Sequence, residues 1–318
     1  MTTKRFDAGR WLRDNWLELL LLAVLLIAVG WLATAGREIW QTVRPAPTPA
    51  PGSAQNFDGQ RAAGIASFLA ALGPRTAGSE ALAVAAERIE QELRESGWQV
   101  QAQPFELDGM ARRNIVAVAG TGPAVLLATH YDSSPLADRD PDPANHSTPA
   151  PGANDGSSGA AVLLELARTL DQERLAGQVW LVFLDGQYGA SGAPMAAGLQ
   201  ALVDAPPWTQ PPQAALLLDL LGAADQQIAV DPASDALLAQ QVWQIAAQQG
   251  YGAWFSPEPR AAVDLGQAVL SGAGVPVAVI AGSDYPYWRT LLDTAEQIDA
   301  GSLARVGRVL QAYLTLSP

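Results

Sequence analysis

Four uninterrupted apolar runs constrain the fold of this chain more than any other feature of its sequence. They are AVLLAT at residues 124–129, VWLVFL at 179–184, AALLL at 214–218 and VPVAVI at 275–280. Apolar runs of this length are typical of strands that are covered by helices on both faces.

Segments with the apolar periodicity of helices surround these runs, at residues 57–72, 79–96, 157–170, 234–249 and 302–314. Two more segments, at residues 98–105 and 113–119, are predicted to be strands. Because strands and helices alternate along the chain, we predict an α/β fold with a mostly parallel central sheet flanked by helices.

The N-terminal part of the chain has a different character. Residues 19–35 read LLLLAVLLIAVGWLATA, which contains no charged side chain. As a helix, this run would span about 25 Å, close to the thickness of a bilayer's hydrocarbon core. Four basic residues precede the run and two follow it closely. The positive-inside rule therefore predicts a cytoplasmic segment at residues 1–15 and a transmembrane anchor at 16–36, with the remainder outside.

Two other interpretations of this run remain. The sequence ATA at residues 33–35 resembles a signal-peptide cleavage site, although the apolar run is longer than is usual for a signal peptide. Either interpretation exports the rest of the chain. A buried core helix is disfavoured, since a soluble helix of this length should have a polar face.

A proline-rich linker is predicted at residues 37–56, where RPAPTPAPG forms an extended spacer. We thus expect a single-pass protein of the cell membrane whose globular domain, residues 57–318, lies on the extracytoplasmic side.

Charge and composition exclude several classes of function. The formal net charge of −13 argues against nucleic acid as a partner, because phosphate binding needs clustered Lys and Arg. The chain has no cysteine, which excludes disulfides and thiol nucleophiles. It has only two histidines, His130 and His146, so any histidine-dependent site must use one of them.

Polar side chains follow the ends of the predicted strands, which is where ligands bind in such sheets. His130 and Asp132 follow the first run, Asp219 follows the third, and Asp155 precedes the helix after a long loop. A histidine and several carboxylates that converge at one edge favour a divalent-metal site. Each residue alone has a simpler interpretation: Asp155 as a helix cap, for example, or His130 as a structural histidine.

The order of these motifs resembles the zinc-dependent aminopeptidase and glutaminyl cyclase family, co-catalytic di-zinc exopeptidases of peptidase clan MH. The resemblance covers nearly all of residues 57–318. The motifs are LGPRTAGS at 72–79, RNIVAVAG at 113–120, LLATHYDSSP at 126–135, PGANDGSSGAAVLLELAR at 151–168, LVFLDGQYG at 181–189, LLLDLLG at 216–222 and YPYWRTLLDTAEQID at 285–299.

This resemblance implies roles for four residues. His130 and Asp219 would bind one zinc ion, and Asp155 would bridge that ion to a second one. Asp132 would orient the ring of His130, as carboxylates next to metal-bound histidines do. All four residue types are present.

Three other positions depart from the family pattern. Gln187 stands where the family has its general base, and Tyr188 and Arg289 stand where it has ligands of the second zinc. An amide is not a base near neutral pH, and an arginine is always protonated and repels a cation. We expect Arg289 to pair with Asp155 or Asp293, and zinc, if bound, to be a single ion on the remaining ligands.

Two functions fit these residues. The first is a non-hydrolytic homologue whose cleft binds a peptide end or a partner protein. The second is a residual single-zinc hydrolase, with His146 from the proline-rich loop 136–152 as a disfavoured additional ligand. A serine hydrolase centred on Ser158 is rejected, because Ala160 stands where a second glycine is needed. Whether Trp208 and Trp254 line the cleft stays open.

Overall fold

The computed structural model describes residues 56–316. The predicted cytoplasmic segment, the transmembrane anchor and the linker up to residue 55 lie outside the described residues. Within residues 56–316, no helix combines the length and apolar character that membrane crossing requires.

The described residues form one sheet of eight strands. The strands are β1 (Gln99–Leu107), β2 (Met110–Ala119), β3 (Ala124–His130), β4 (Gln178–Leu184), β5 (Ala214–Asp219), β6 (Gln227–Val230), β7 (Phe255–Pro259) and β8 (Val277–Ser283). Their order across the sheet is β1-β2-β4-β3-β5-β8-β6-β7. The four central strands β4, β3, β5 and β8 pair in parallel, and the antiparallel pairs lie toward the two sides. The prediction of a mostly parallel central sheet is confirmed.

Helices cover both faces of this sheet. They are α1 (Gly59–Ala71), α2 (Glu80–Glu95), α3 (Ser157–Thr169), α4 (Ala197–Asp204), α5 (Ala236–Gln248), α6 (Gln267–Gly272) and α7 (Ala300–Leu316). Buried residues of α1, α2, α3, α5 and α7 form the core on one face, and those of α4 and α6 pack on the other. The central strands are buried along almost their whole length because both faces are covered.

The sequence prediction missed the shortest elements. Strands β6 and β7 and helices α4 and α6 contain at most eight residues each. Segments of that length carry too few apolar positions for a period to be recognised. The predicted helix at residues 234–249 begins slightly later, because the side chain of Asp235 accepts from the amides of Leu237 and Leu238 and caps α5.

The sheet topology brings the candidate site residues together. His130 is the last residue of β3 and Asp219 is the last residue of β5. Because β3 and β5 are parallel neighbours, both side chains lie at the same edge of the sheet. Helix α3 begins at that edge, directly after Asp155 and Gly156.

Candidate metal centre

Three buried side chains meet at the carboxyl edge of the sheet. The Nε2 atom of His130 lies 3.2 Å from Oδ1 of Asp155 and 3.5 Å from Oδ1 of Asp219. One ligand atom from each residue lies within 4.8 Å of the others, a spacing that a single cation can bridge. The three side chains are at most 2% exposed.

Two atoms of this group have no hydrogen-bond partner among the described residues. They are Nε2 of His130 and Oδ1 of Asp155, both buried and close to one another. Buried polar atoms are nearly always paired, so two that face a common point indicate a place for a cation. The donor set of one imidazole and two carboxylates suits zinc. The residues therefore fit the metal that the resemblance implies.

The ring of His130 is held in one orientation. Its Nδ1 atom lies 3.1 Å from both the backbone oxygen and Oδ1 of Asp132, so Nε2 faces the other carboxylates. Burial alone would lower the pKa of His130, but the carboxylates of Asp219, Asp132 and Asp155 outweigh it and raise that pKa well above 6.5.

Only glycine fits at position 156, between Asp155 and α3. Gly156 has a φ of +88°, which side chains other than glycine rarely adopt. A Cβ atom there would overlap the backbone oxygen of Asp132 and lie 3.0 Å from the ring of His130. Gly156 is also the N-cap of α3, so Asp155 is not the helix cap that the simpler interpretation suggested.

The segment that carries Asp155 is held from two sides. The fully buried guanidinium of Arg75 donates to the backbone oxygens of Pro151 and Gly152, and also to that of Tyr131, next to His130. Burial lowers the pKa of Arg75 to about 10, although nearby carboxylates oppose this. Arg75 thus ties together the chain segments that present two candidate ligands.

Asp293 holds the same segment from the other side. Its carboxylate accepts from the backbone amides of Asn154 and Asp155 and from the hydroxyl of Tyr285. Burial and the nearby Asp155 raise the pKa of Asp293 to about 7. The carboxylate of Asp293 therefore fixes the backbone at Asn154 and Asp155 by hydrogen bonds.

The second carboxylate oxygen of Asp155 meets a hydroxyl group. The hydroxyl of Tyr188 donates to Oδ2 of Asp155 at 2.6 Å, and the indole Nε1 of Trp288 donates to Tyr188 at 3.2 Å. Burial and the charge of Asp155 raise the pKa of Tyr188 well above 10, which keeps the phenol protonated. A neutral hydrogen-bond donor thus occupies the carboxylate oxygen of Asp155 that does not face His130, and its ring packs edge-on against that of His130 at 5.8 Å.

Gln187 is also engaged by hydrogen bonds. Its side chain is 4% exposed, and its Nε2 atom donates to the backbone oxygen of Asp264 at 2.8 Å. The turn that carries it begins at Asp185, which forms a buried ion pair with Arg112 at 2.7 Å. Burial raises the pKa of Asp185 to about 6, with Asp132 adding to the effect and Arg112 opposing it.

The predicted partner of Arg289 is not the one that the structure shows, so this prediction is wrong. Arg289 does not pair with Asp155 or Asp293; its Nη2 atom lies 2.6 Å from Oδ2 of Asp138. The two expected carboxylates accept hydrogen bonds from Tyr188 and Tyr285. Arg289 has a φ of +58°, and its guanidinium contacts the loop at residues 136–152 instead.

Other candidates from the sequence lie elsewhere. The ring of His146 contacts the backbone oxygen of Asp140 within its own loop, and it is not part of the metal-ligand group. The hydroxyl of Ser158 donates to the backbone oxygen of Asn154, a structural role. Trp208 packs edge-on against Trp180, on the face of the sheet that α4 and α6 cover.

Comparison with known proteins identifies the family of this chain. Residues 114–314, more than half of the chain, match Peptidase family M28. The chain belongs to Peptidase family M28. The resemblance deduced from the sequence motifs is thereby confirmed.

Solved structures of related proteins are similar to this M28 chain over nearly their whole length. A leucine aminopeptidase precursor from Bacteroides thetaiotaomicron is 26% identical, with a TM-score of 0.79 over 84% of this chain and 99% of that one. Glutaminyl cyclase from Porphyromonas gingivalis is 31% identical, with a TM-score of 0.75 over 82% and 99%. A Zn-dependent exopeptidase from Parabacteroides distasonis is 28% identical, with a TM-score of 0.76 over 83% and 100%.

A curated relative matches a shorter part of the chain. Uncharacterized protein YfbL from Escherichia coli strain K12 is 40% identical over 90 residues, which span 28% of this chain and 26% of that protein.

Sequence reasoning missed four residues of this centre. Arg75 lies in the motif at residues 72–79, which predicts no role for it, and the sequence suggests Asp293 only as a partner for Arg289. Trp288 follows Tyr287 in the motif at residues 285–299, and its place in that motif is the sequence signal that it lies near the site. Asp138 has no signal in the sequence, because its importance depends entirely on where Arg289 points.

Proposed function

We propose that this M28 domain holds one zinc ion at most, lacks ordinary hydrolytic chemistry and binds the amino end of a peptide or a partner protein. The observation that carries the proposal is the 2.6 Å hydrogen bond from the hydroxyl of Tyr188 to Oδ2 of Asp155. A carboxylate that gives one oxygen to each of two cations needs both of its oxygens for them. Here one oxygen accepts a hydrogen bond from a protonated phenol, which leaves one oxygen for a metal.

The chemistry of the other two altered positions supports the same conclusion. The amide of Gln187 cannot take a proton near neutral pH, and its Nε2 atom donates to a backbone oxygen. Loss of a general base costs about 10²–10⁴-fold in rate. The positive charge of Arg289, 5.8 Å from the ring of Tyr188, disfavours a second cation nearby.

The chain's own residues have separable tasks in this proposal. His130, Asp155 and Asp219 would hold the zinc ion, and Asp132 keeps the imidazole turned toward it. A bound ion would supply a Lewis-acidic centre. Tyr188 satisfies Oδ2 of Asp155 with a hydrogen bond.

The choice of ligand follows from the family. The solved relatives include an aminopeptidase and an exopeptidase, names that denote action at the ends of peptides. We extend the recognition of a peptide's amino end, but not the hydrolysis, to this chain. The apolar run at residues 19–35 supports a location of the domain at the outer face of the cell membrane.

A residual single-zinc hydrolase is the alternative, and the intact trio of His130, Asp155 and Asp219 favours it. Three protein ligands with one open position are the usual arrangement of a catalytic zinc ion. The two proposals differ in turnover, which can be measured directly.

The test measures zinc content and turnover of the full chain purified in detergent. We expect at most one zinc ion per chain by elemental analysis. We also expect no chelator-sensitive hydrolysis of aminoacyl amides and no cyclisation of peptides with N-terminal glutamine. Turnover that a chelator abolishes would overturn the non-hydrolytic proposal and support the alternative.

A reversion experiment tests the assignment of the altered positions. The combined variant Gln187→Glu, Tyr188→Asp and Arg289→His is expected to bind a second zinc ion. The matched control is Arg289→His alone, which leaves the hydroxyl of Tyr188 on Asp155 and should gain none. If the combined variant binds no more zinc than the unmodified chain, the assignment is wrong.

A further inference from the structure

Two loops meet above the candidate metal centre. We call residues 136–152 the cover loop and residues 285–294 the tryptophan loop. The cover loop lies between β3 and α3, and the tryptophan loop lies between β8 and α7. The candidate ligands are almost completely buried, as is Tyr188, which Trp288 of the tryptophan loop contacts.

The two loops are joined by charged and backbone contacts. Arg289 of the tryptophan loop forms an ion pair with Asp138 of the cover loop at 2.6 Å. The backbone amide of Arg139 donates to the backbone oxygen of Arg289 at 3.2 Å. The amide of Leu291 donates to Oδ2 of Asp140 at 2.8 Å. These contacts involve three successive residues of the cover loop.

An aromatic contact continues toward the metal ligands. The guanidinium of Arg139 lies 4.1 Å from the ring centre of Trp288, within the range of a cation–π interaction. The indole nitrogen of Trp288 donates to Tyr188, whose hydroxyl donates to Asp155. A continuous series of contacts therefore connects the cover loop to a candidate metal ligand.

The backbone conformation at Arg289 indicates that these contacts hold the two loops together. Its φ of +58° is uncommon for a residue other than glycine, and such conformations persist only where the surroundings enforce them. The Nε atom of Arg289 is buried without a hydrogen-bond partner among the described residues. Among the described residues, the guanidinium forms one ion pair, with Asp138, and also lies 5.7 Å from the ring centre of Trp288.

The ion pair is nevertheless within reach of solvent. The side chain of Asp138 is 39% exposed, whereas that of Arg289 is 8% exposed. A pair with one exposed partner is weakened by salt and can open without disruption of the core. The pair is therefore suited to open and close the two loops.

We propose that Arg289 and Asp138 form a latch that closes the cover loop and the tryptophan loop over the His130, Asp155 and Asp219 group. In the closed state the loops exclude a peptide from the metal, and a peptide end reaches it only after the latch opens. Arg289, at a position where the family resemblance implies a metal ligand, thus controls access to the remaining site. This inference rests on the single-ion site proposed above.

The first experiment follows zinc release from the full chain. Asp138→Asn keeps the size of the side chain and removes its charge, and its exposed position makes it compatible with folding. We expect release of zinc to a colorimetric chelator to be about tenfold faster, as loss of one charge-assisted hydrogen bond implies. Added sodium chloride should speed release from the unmodified chain and have little effect on the variant.

Asp171→Asn is the matched control. It removes the same charge from an ion pair with Arg174 at 3.9 Å, in which the arginine is mostly exposed. This pair precedes the amino end of β4, whereas the candidate site lies at the carboxyl ends of the parallel strands. Zinc release from this variant should match that of the unmodified chain. Arg139→Gln is a second test variant, which removes the stacking on Trp288 but leaves the ion pair, and a several-fold faster release is expected.

The second experiment does not require zinc. Hydrogen exchange at the amides of Arg139 and Leu291, which bridge the loops, should be faster in Asp138→Asn. Exchange at core amides such as that of Leu127 should be unchanged. Equal exchange at the bridging amides in both proteins would overturn the latch. If no zinc binds, the single-ion site fails, and amide exchange still decides whether the latch exists.

Discussion

The two sides of Asp155 differ in a way that the fold alone does not dictate. Toward His130, its Oδ1 atom and the histidine Nε2 lack hydrogen-bond partners among the described residues and face one another. Toward Tyr188, its Oδ2 atom accepts a short hydrogen bond, and the phenol is itself held by Trp288. One side is polar and unsatisfied, and the other is polar and satisfied.

In our proposal, this difference separates the half of the site that binds a metal ion from the half that does not. Both sides are built on loops at the carboxyl edge of the same parallel strands. Because buried polar groups need partners, each side chain that departs from the family pattern has one: Tyr188 binds Asp155, Gln187 binds a backbone oxygen and Arg289 binds Asp138. The unsatisfied side keeps the ability to bind a cation.

Removal of His130 should have the largest effect on the side of Asp155 that is expected to bind zinc. In His130→Ala we expect zinc affinity to fall by about 10³-fold, or about 4 kcal/mol, because zinc sites with four ligands bind with about 10–16 kcal/mol in total. Isothermal titration calorimetry would measure the change. His146→Ala, which removes the other histidine, should leave the affinity unchanged. Equal losses in both variants would place the ion elsewhere.

A side chain at Gly156 should disturb both sides of Asp155. Gly156→Ala forces a left-handed backbone on alanine and overlaps the backbone oxygen of Asp132, so we expect the free energy of unfolding to fall by about 3 kcal/mol. Denaturant titration would measure this. The control is Gly64→Ala in helix α1, where the added methyl group has open space and should stabilise the chain by about 1 kcal/mol.

The buried ion pair of Asp185 and Arg112, in the turn that carries Gln187, should make the free energy of unfolding depend on pH. The pKa of Asp185 is raised from 3.8 to about 6, so the folded state retains a proton that the unfolded chain has already released. Between pH 4 and pH 6 this carboxyl lowers the stability of the folded state as pH rises, by up to about 3 kcal/mol. Above pH 6 its contribution is constant.

Comparison with Asp185→Asn isolates this effect, since the variant has no proton to release at that position. The stability of the unmodified chain minus that of the variant should decrease as pH rises from 4 to 6. Urea titrations of both proteins at several pH values would measure it. A difference that does not change with pH would contradict the raised pKa.

The smallest expected effect concerns the hydroxyl of Tyr188. Tyr188→Phe leaves Oδ2 of Asp155 and the indole nitrogen of Trp288 without a partner, so we expect a loss of about 1–2 kcal/mol in the free energy of unfolding. Zinc stoichiometry should stay at one ion or fewer. Tyr251→Phe, which loses a contact with the exposed Arg308, should change stability by less than about 0.5 kcal/mol.

Much of this fold was predictable from local patterns. The apolar runs at residues 124–129 and 214–218 predicted β3 and β5, and the residues that follow them, His130 and Asp219, lie at the ends of those strands as expected. Short elements such as β6 and α6 were not predicted, because four to six residues do not establish a period.

The partners of the altered residues were not predictable in the same way. Arg289 and Asp138 are 151 positions apart, and neither neighbourhood in the sequence marks the other. Several carboxylates were equally reasonable partners for the arginine by charge alone. Tertiary packing selected Asp138, because Asp293 and Oδ2 of Asp155 already accept hydrogen bonds from Tyr285 and Tyr188.

The amino-acid sequence by itself determined the family, the sheet and the residue types available for chemistry, since these follow from hydrophobic pattern and the order of motifs along the chain. The tertiary structure alone decided which oxygen of Asp155 is free and which is occupied, and which carboxylate pairs with Arg289. Those outcomes depend on contacts between distant segments, where burial forces each polar atom to find a partner.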